Sequence, residues 1–334
     1  MGSGSPQGGL REGFLATTQP IGKSVAMRAA LPVPALLLQP VVQGMAWMVL
    51  SGAIFGVLNA LLRVITLQLP PIEAQFLRYV SGALVMLPFI LRVGFRAYHP
   101  KGLAGQLWRG AAHTSGMLLW FMALPHLPLA DTTAIGFTGP IFVMVGAVLV
   151  FHEPMLWRRW VSAFIGFGGV LIVVWPKLSG SSGFYDLVML GSAPLFAASQ
   201  LITKALTKRD RPEVIVVWQC LTISLFSFPL AMLHWVWPSA VQYGWFLVAG
   251  VLGSCAHYCA TQAFRVADVS ATQPVRFLDL IWATLMGFLV FGDVPTSSTL
   301  MGGLVIFAAT TWVARREAGI RRAPLTVAPR VERA

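Results

Sequence analysis

Ten mostly apolar stretches follow one another along this chain with short links between them. Each is close to the ~20 residues that a helix needs to cross a bilayer. They run over 44–65, 72–93, 105–124, 129–151, 158–176, 184–205, 212–234, 243–264, 271–291 and 297–315. Several abut so closely that they must be helical hairpins. A membrane β-barrel would show shorter segments of alternating polarity, and the chain has none. Charged residues make up 11% of the sequence, against about 25% in a soluble domain. The chain therefore lacks the polar residues to cover a water-facing surface, and the expected class is an all-α integral membrane protein embedded in the lipid bilayer.

The net charge of +12 would suggest nucleic acid if the basic residues formed a patch on a soluble domain. They fall between apolar spans instead, which points to topology and to no nucleic-acid partner. Counted by alternate loops, 20 of the 24 Lys and Arg residues lie on one side: the leader, the links holding Arg92 to Arg109, Arg158 and Arg159, Lys204 to Arg211 and Arg265, and the tail from Arg315. The opposite links hold Lys177 alone, while Arg63, Arg78 and Arg276 fall within or at the ends of spans. By the positive-inside rule both termini are expected to be cytoplasmic, in a multi-pass protein of the inner membrane. Residues 1–43 open with Gly, Ser and Pro and read as a disordered leader; 316–334 read as a loose basic tail.

Shifting the chain by 140 residues lays the five spans of 44–177 onto the five of 184–315 without a gap. Under that shift Phe137 meets Phe277, Leu149-Val150-Phe151 meets Leu289-Val290-Phe291, and Glu153 meets Asp293. Five is odd, so the two halves must run in opposite directions through the membrane. Loop charge agrees, since the basic second link overlays Trp235–Gln242, which has no Lys or Arg. The expected architecture is ten transmembrane helices as a 5+5 inverted-topology repeat, the plan of carriers in which one half rocks against the other around a midplane site.

The run ALPHLPLADTTAIGFTGPIFVMVGAVLVFHEPMLWRRWVSAFIGFGGVLIVV, Ala123 to Val174, resembles the first-half signature of the EamA family within the drug/metabolite transporter superfamily. AFRVADVSATQPVRFLDLIWATLMGFLVFGDVP, Ala263 to Pro295, resembles its second copy. The most specific pieces are the fourth and ninth spans, each closing on an acidic turn at Glu153 or Asp293. The resemblance covers about 44–316 and implies ten helices and the export or uptake of small metabolites. The second copy differs in having Leu280 at the place of Pro140, with Arg276 and Asp279 opposite Gly136 and Gly139.

Arg276 and Asp279 are the residues that a transport reading turns on. They stand three apart in the ninth span, on one face of a helix, where a charge costs about 2.5–3.5 kcal/mol unless it faces protein or a wet cavity. A substrate or coupling site and a self-neutralising structural pair both answer that pattern. His257 belongs to an i, i+3, i+7 stripe with Ser254 and Thr261, flanked by Tyr258 and Gln262. Gln200 borders a second stripe of Ser192, Ser199 and Thr203; Ser51 and Asn59 lie in the first span, His113 and Trp120 in the third. Converging, these would line a cavity in which Arg276 attracts a carboxylate, Asp279 holds a cation or coupling proton, and Trp120 and Tyr258 cover the apolar part of an amino-acid-like ligand. Interhelical hydrogen bonding is the plainer role for the Ser and Thr residues. Arg78 and Glu73 read as an interfacial anchor or pair, and Glu153 and Asp293 as caps at turns. Pro140 with Gly136 and Gly139, and Pro274, mark the fourth and ninth spans as interrupted helices. Gly166, Gly168, Gly169, Gly302 and Gly303 mark the fifth and tenth as scaffold and as a homodimer surface.

Cys255, His257 and Cys259 do not converge on one ion from a single helix, so no metal and no cofactor is expected. There is no GxxxxGK[ST] loop for ATP hydrolysis, no G-x-S-x-G elbow and no H-E-x-x-H pair. The expected function is secondary transport of small organic metabolites by alternating access, with no enzymatic activity. The alternative, an intramembrane enzyme acting on a lipid-like substrate, would need a nucleophile, base or metal group clustered at one depth.

Overall fold

The computed structural model describes residues 39–123, 126, 135–175, 183–292 and 294–320. The leader, Lys177, Asp293, most of the basic tail and the first part of the expected fourth span lie outside the described residues. What is described is helical, without a strand. Pro40–Thr66 (α1), Pro71–Val93 (α2), Leu103–Ala123 (α3), Gly139–Phe151 (α4) and Trp157–Val174 (α5) form the first half. Phe184–Leu206 (α6), Pro212–Ala231 (α7), Ala240–Val266 (α8), Asp279–Phe291 (α9) and Ser297–Ile320 (α10) form the second.

Prolines open α1, α2 and α7, where a missing N–H costs nothing because the first turn has no acceptor for it. α4 and α9 are each 13 residues long and start 140 residues apart. Both end on a left-handed residue, His152 or Gly292. α9 is preceded by a helical turn at Val269–Thr272 and a 3-10 turn at Pro274–Leu278. α4 likewise starts after a turn at Phe137 and Thr138, so the interruptions expected at Pro274 and Pro140 are both present.

Among the described residues, six helices are long and apolar enough to cross a membrane: α1, α2, α6, α7 with its 3-10 extension, α9 with its lead-in, and α10. α3 and α8 reach 21 and 27 residues but carry Gln106, Arg109, His113, His257 and Gln262, which lowers their apolarity. Around the outside Leu84, Phe89, Leu149, Phe164, Leu225, Leu289 and Leu304 are each more than half exposed. So continuous an apolar belt would aggregate in water and is at home in lipid. The interior combines apolar packing around Met144, Phe246, Phe277 and Ile306 with buried polar groups, among them Ser51, Gln75, Arg78, Arg109, Ser162, Thr203 and Gln219.

The main helix contacts run between the halves: α1 with α8 and α3 with α6, α2 with α8 and α3 with α7, α1 with α9 and α4 with α6, α2 with α7, α5 with α10. Each of these pairs either has a partner under exchange of the halves or maps onto itself. Glycines permit the closest approaches: a Cβ at Gly302 would collide with the Gly169 carbonyl, and one at Gly250 with the backbone of Ser81 and Gly82.

Several basic residues counted with the links lie in helices, and three of them are drawn into the bundle. Arg109 is buried inside α3, Lys204 sits in α6 with its ammonium on the carbonyls of Phe264 and Ala267, and Arg159 is buried in α5. Arg78 neither snorkels nor pairs with Glu73: its guanidinium lies 3.9 Å over the Tyr79 ring, while the Glu73 carboxylate accepts from the Val236 amide.

Candidate functional site

The break before α9 creates the site. A 3-10 turn has three residues per turn, so positions i and i+3 stand directly over one another. Arg276, in that turn, therefore reaches Asp279, the first residue of α9, with Nε 3.6 Å from Oδ2. Asp279 also lies at the positive end of the α9 dipole, which favours a carboxylate there. Across the bundle, Nη1 of Arg276 donates to Oε1 of Gln200 on α6 at 2.7 Å. Both members of the pair keep about a third of their side-chain surface exposed, so neither is sealed into packing.

That exposed surface faces a cavity of about 190 Å³ lined by Gly52, Phe55, Gly56 and Asn59 of α1 together with Arg276, Asp279 and Ala283. Gly52 and Gly56 sit one turn apart on the α1 face toward α9. A Cβ at Gly52 would strike the Asp279 carboxylate, and one at Gly56 would come within 2.9 Å of the Trp282 Cβ. The cavity exists because α1 presents bare backbone there.

Of the residues singled out in the sequence, Arg276, Asp279, Gln200 and Asn59 come together at this place. His257 is one ring away, edge-on to Phe55 with 4.9 Å between ring centres. Tyr258 turns elsewhere, accepting from Gln262 Nε2 at 2.8 Å and packing on Trp47. Trp120 packs on Phe121, and neither Trp120 nor Tyr258 lines the cavity. The hydroxyls of Ser192, Thr203 and Thr261 donate to carbonyls of their own helices, and that of Ser51 to Ala256 of α8.

Beside the cavity runs a second polar cluster that the span-by-span reading did not assemble. Tyr79 Oη lies 3.0 Å from Nε2 of His113 and 3.5 Å from Nε2 of His257. The amide nitrogen of Gln219 lies 3.1 Å from the same His257 nitrogen, while its oxygen accepts from Arg109 Nη2 at 2.6 Å. These residues come from α2, α3, α7 and α8, and no single helix displays the group. Among the described residues, no three His, Cys, Asp or Glu side chains are grouped to hold a metal.

The glutamate at the end of α4 is a cap. Its carboxylate accepts from the amides of Val269 and Ser270 at 3.0 Å each and from the Ser270 hydroxyl at 2.6 Å, so Glu153 holds the start of the segment that leads into α9.

The EamA-like transporter family matches this chain twice, over 42–175 and 183–315. The chain belongs to that family. It is 33% identical over 286 residues to the riboflavin transporter of Rhizobium johnstonii, covering 85% of this chain and 94% of that protein. The S-adenosylmethionine uptake transporter of Rickettsia prowazekii is 26% identical over 276 residues, covering 83% and 94%. The pseudopaline exporter of Pseudomonas aeruginosa is 26% identical over 277 residues, covering 83% and 97%. A protein of known crystal structure superposes with a TM-score of 0.68 at 16% identity, over 83% of this chain and 98% of that one; at that identity the likeness is one of fold. This EamA-family chain is a multi-pass membrane transporter of small metabolites. Its relatives are transporters, and nothing supports the intramembrane enzyme.

Proposed function

We propose that the chain is a secondary carrier working by alternating access in the inner membrane, with its ligand held at the Arg276–Asp279 cavity. The observation that carries this is the cavity itself: a net-neutral ion pair, incompletely covered, on an interrupted helix, with Gln200 and Asn59 beside it. Ten crossings in two five-helix halves of opposite orientation, both termini cytoplasmic, complete the reading. The exchange symmetry of the helix contacts, the 140-residue recurrence of α4 in α9 and the one-sided loop charge support it.

A neutral pair selects a ligand edge that both donates and accepts. The imide edge of a flavin has that character, as does the zwitterionic head of an amino-acid-like metabolite such as S-adenosylmethionine. Riboflavin comes first, since the relative at 33% identity and the Vibrio cholerae relative at 30% bear that name. Small-molecule pockets usually reach about 300–1,000 Å³, so a cavity of about 190 Å³ must widen to admit such a molecule. Movement of α1 against α9 is the motion that would widen it.

The test is uptake and counterflow of radiolabelled riboflavin in proteoliposomes, with S-adenosylmethionine as competitor. Arg276→Ala and Asp279→Asn are expected to lower the rate at least tenfold with normal insertion. Wild-type rates in both variants would remove the pair from the mechanism. Terminal tags accessible from opposite faces of the membrane would refute the inverted arrangement.

A further inference from the structure

Among the described residues, no carboxylate pairs with two arginines deep in the bundle. Arg78 of α2 is 8% exposed and Arg109 of α3 is 4% exposed. Among the described residues, ion pairs join Arg159 to Asp268 and Glu317, and Arg276 to Asp279, but no carboxylate reaches Arg78 or Arg109. Arg109 spends two donors on neutral oxygens, the Ile215 carbonyl at 3.0 Å and Gln219 Oε1 at 2.6 Å, and its Nε is buried without a partner. Arg78 lies against the Tyr79 ring and faces the bare backbone of Gly253, where a Cβ would come within 3.0 Å of Nη1.

One chain of contacts joins the two guanidiniums: Arg78 lies on the Tyr79 ring, Tyr79 Oη lies 3.5 Å from Nε2 of His257, and Gln219 links that nitrogen to Arg109. An unbalanced guanidinium inside a membrane protein is costly, and such groups pair with other side chains or backbone carbonyls or mark a substrate or ion path. Here the described residues supply no counter-charge, while the two guanidiniums flank one Tyr79–His257–Gln219 cluster and Nε of Arg109 is left without an acceptor.

We infer that the Arg78–Arg109 cluster is a binding site for an oxyanion, the phosphate or carboxylate of a transported metabolite or a free inorganic anion, adjoining the Arg276–Asp279 cavity through His257 and Phe55. It extends the carrier reading and rests on it only in treating the two places as parts of one ligand path. A doubly basic, donor-rich site prefers a charge-assisted contact with an oxyanion to one with a neutral edge, which distinguishes it from the neutral Arg276–Asp279 pair.

The purified full-length protein is titrated at constant ionic strength with inorganic phosphate and, in separate arms, with flavin mononucleotide and with riboflavin. The thermal unfolding midpoint reports binding, because a ligand of the folded state raises it. Phosphate is expected to raise the wild-type midpoint if the anion is free. A tenfold tighter response to flavin mononucleotide than to riboflavin is expected if the anion belongs to the cargo. Either response should weaken at least tenfold in Arg78→Gln and survive in part in Arg78→Lys, a larger change than any in the riboflavin response. Absence of both oxyanion responses in the wild type overturns the inference, and that arm needs no variant to fold. An oxyanion response in Arg78→Gln equal to wild type overturns it too. Loss of riboflavin binding alone would count against the Arg276–Asp279 ligand and leave the oxyanion site standing.

Discussion

Gly52 shows how a single missing side chain can make a site. Its Cα face meets the Asp279 carboxylate, so any Cβ there displaces Asp279 from Arg276. Gly52→Val is expected to cost about 1–3 kcal/mol of stability through overpacking and to reduce transport more than that loss of folded protein explains. Comparing rate per folded molecule with the unfolding midpoint separates the two, and an unchanged specific rate would mean that the carboxylate need not sit where it does. Arg276, Asp279, Gln200 and Asn59 stand out in the sequence because a polar residue in an apolar span is conspicuous. Arg109 does not, because at the edge of a span a buried arginine and a loop arginine look alike. Its burial follows from α3 packing on α7, which brings Ile215 and Gln219 to it.

At the scale of elements, α5 and α10 form a pair whose backbones nearly touch. Gly169 faces Gly302 and Ile306, and Ser162 Oγ donates to the Ala309 carbonyl at 2.9 Å. Small residues at such crossings are the means by which membrane helices gain contact without a hydrophobic drive. Gly302→Val would place methyls against the Gly169 carbonyl and Val173. It should destabilise the protein by about 1–3 kcal/mol, read as a lower unfolding midpoint in detergent, whereas Gly168→Ala, in open space, should leave the midpoint in place. α9 is the contrasting element, regular from Asp279 onward, with a lead-in whose first amides are held by Glu153. Proline and glycine mark where such helices break. The partner that satisfies the freed amides lies more than a hundred residues away and leaves no local mark.

Across the whole molecule, one arginine joins pieces that are remote in the chain. Arg159 donates through Nε to Glu317 at 3.0 Å and through Nη1 to Ser270 at 2.8 Å and Asp268 at 3.2 Å. It so ties α5 to the end of α10 and to the connection between α8 and α9. Asp268 is 44% exposed and its pair is worth little, but Arg159 and Glu317 are buried together. Arg159→Ala would leave Glu317 buried without its cation, at a cost of about 3–5 kcal/mol. The double variant Arg159→Leu/Glu317→Leu should recover most of that, since replacing both members leaves no orphaned charge. Equal midpoints for Arg159→Ala and wild type would show the tie to be slack.

The sequence by itself determined the membrane class, the all-helical fold and the twofold EamA repeat. Bilayer thickness imposes length and apolarity on a helix whatever its neighbours are, and duplication leaves its 140-residue spacing in the letters. It also exposed Arg276 and Asp279, because charge in an apolar run is visible locally. Only the tertiary structure decided which polar residues meet: Gln200 with Arg276, Glu153 with Ser270, and the arginines at 78 and 109 with a Tyr–His–Gln cluster. Which faces of which helices touch depends on packing between halves, and no stretch of chain carries that information alone.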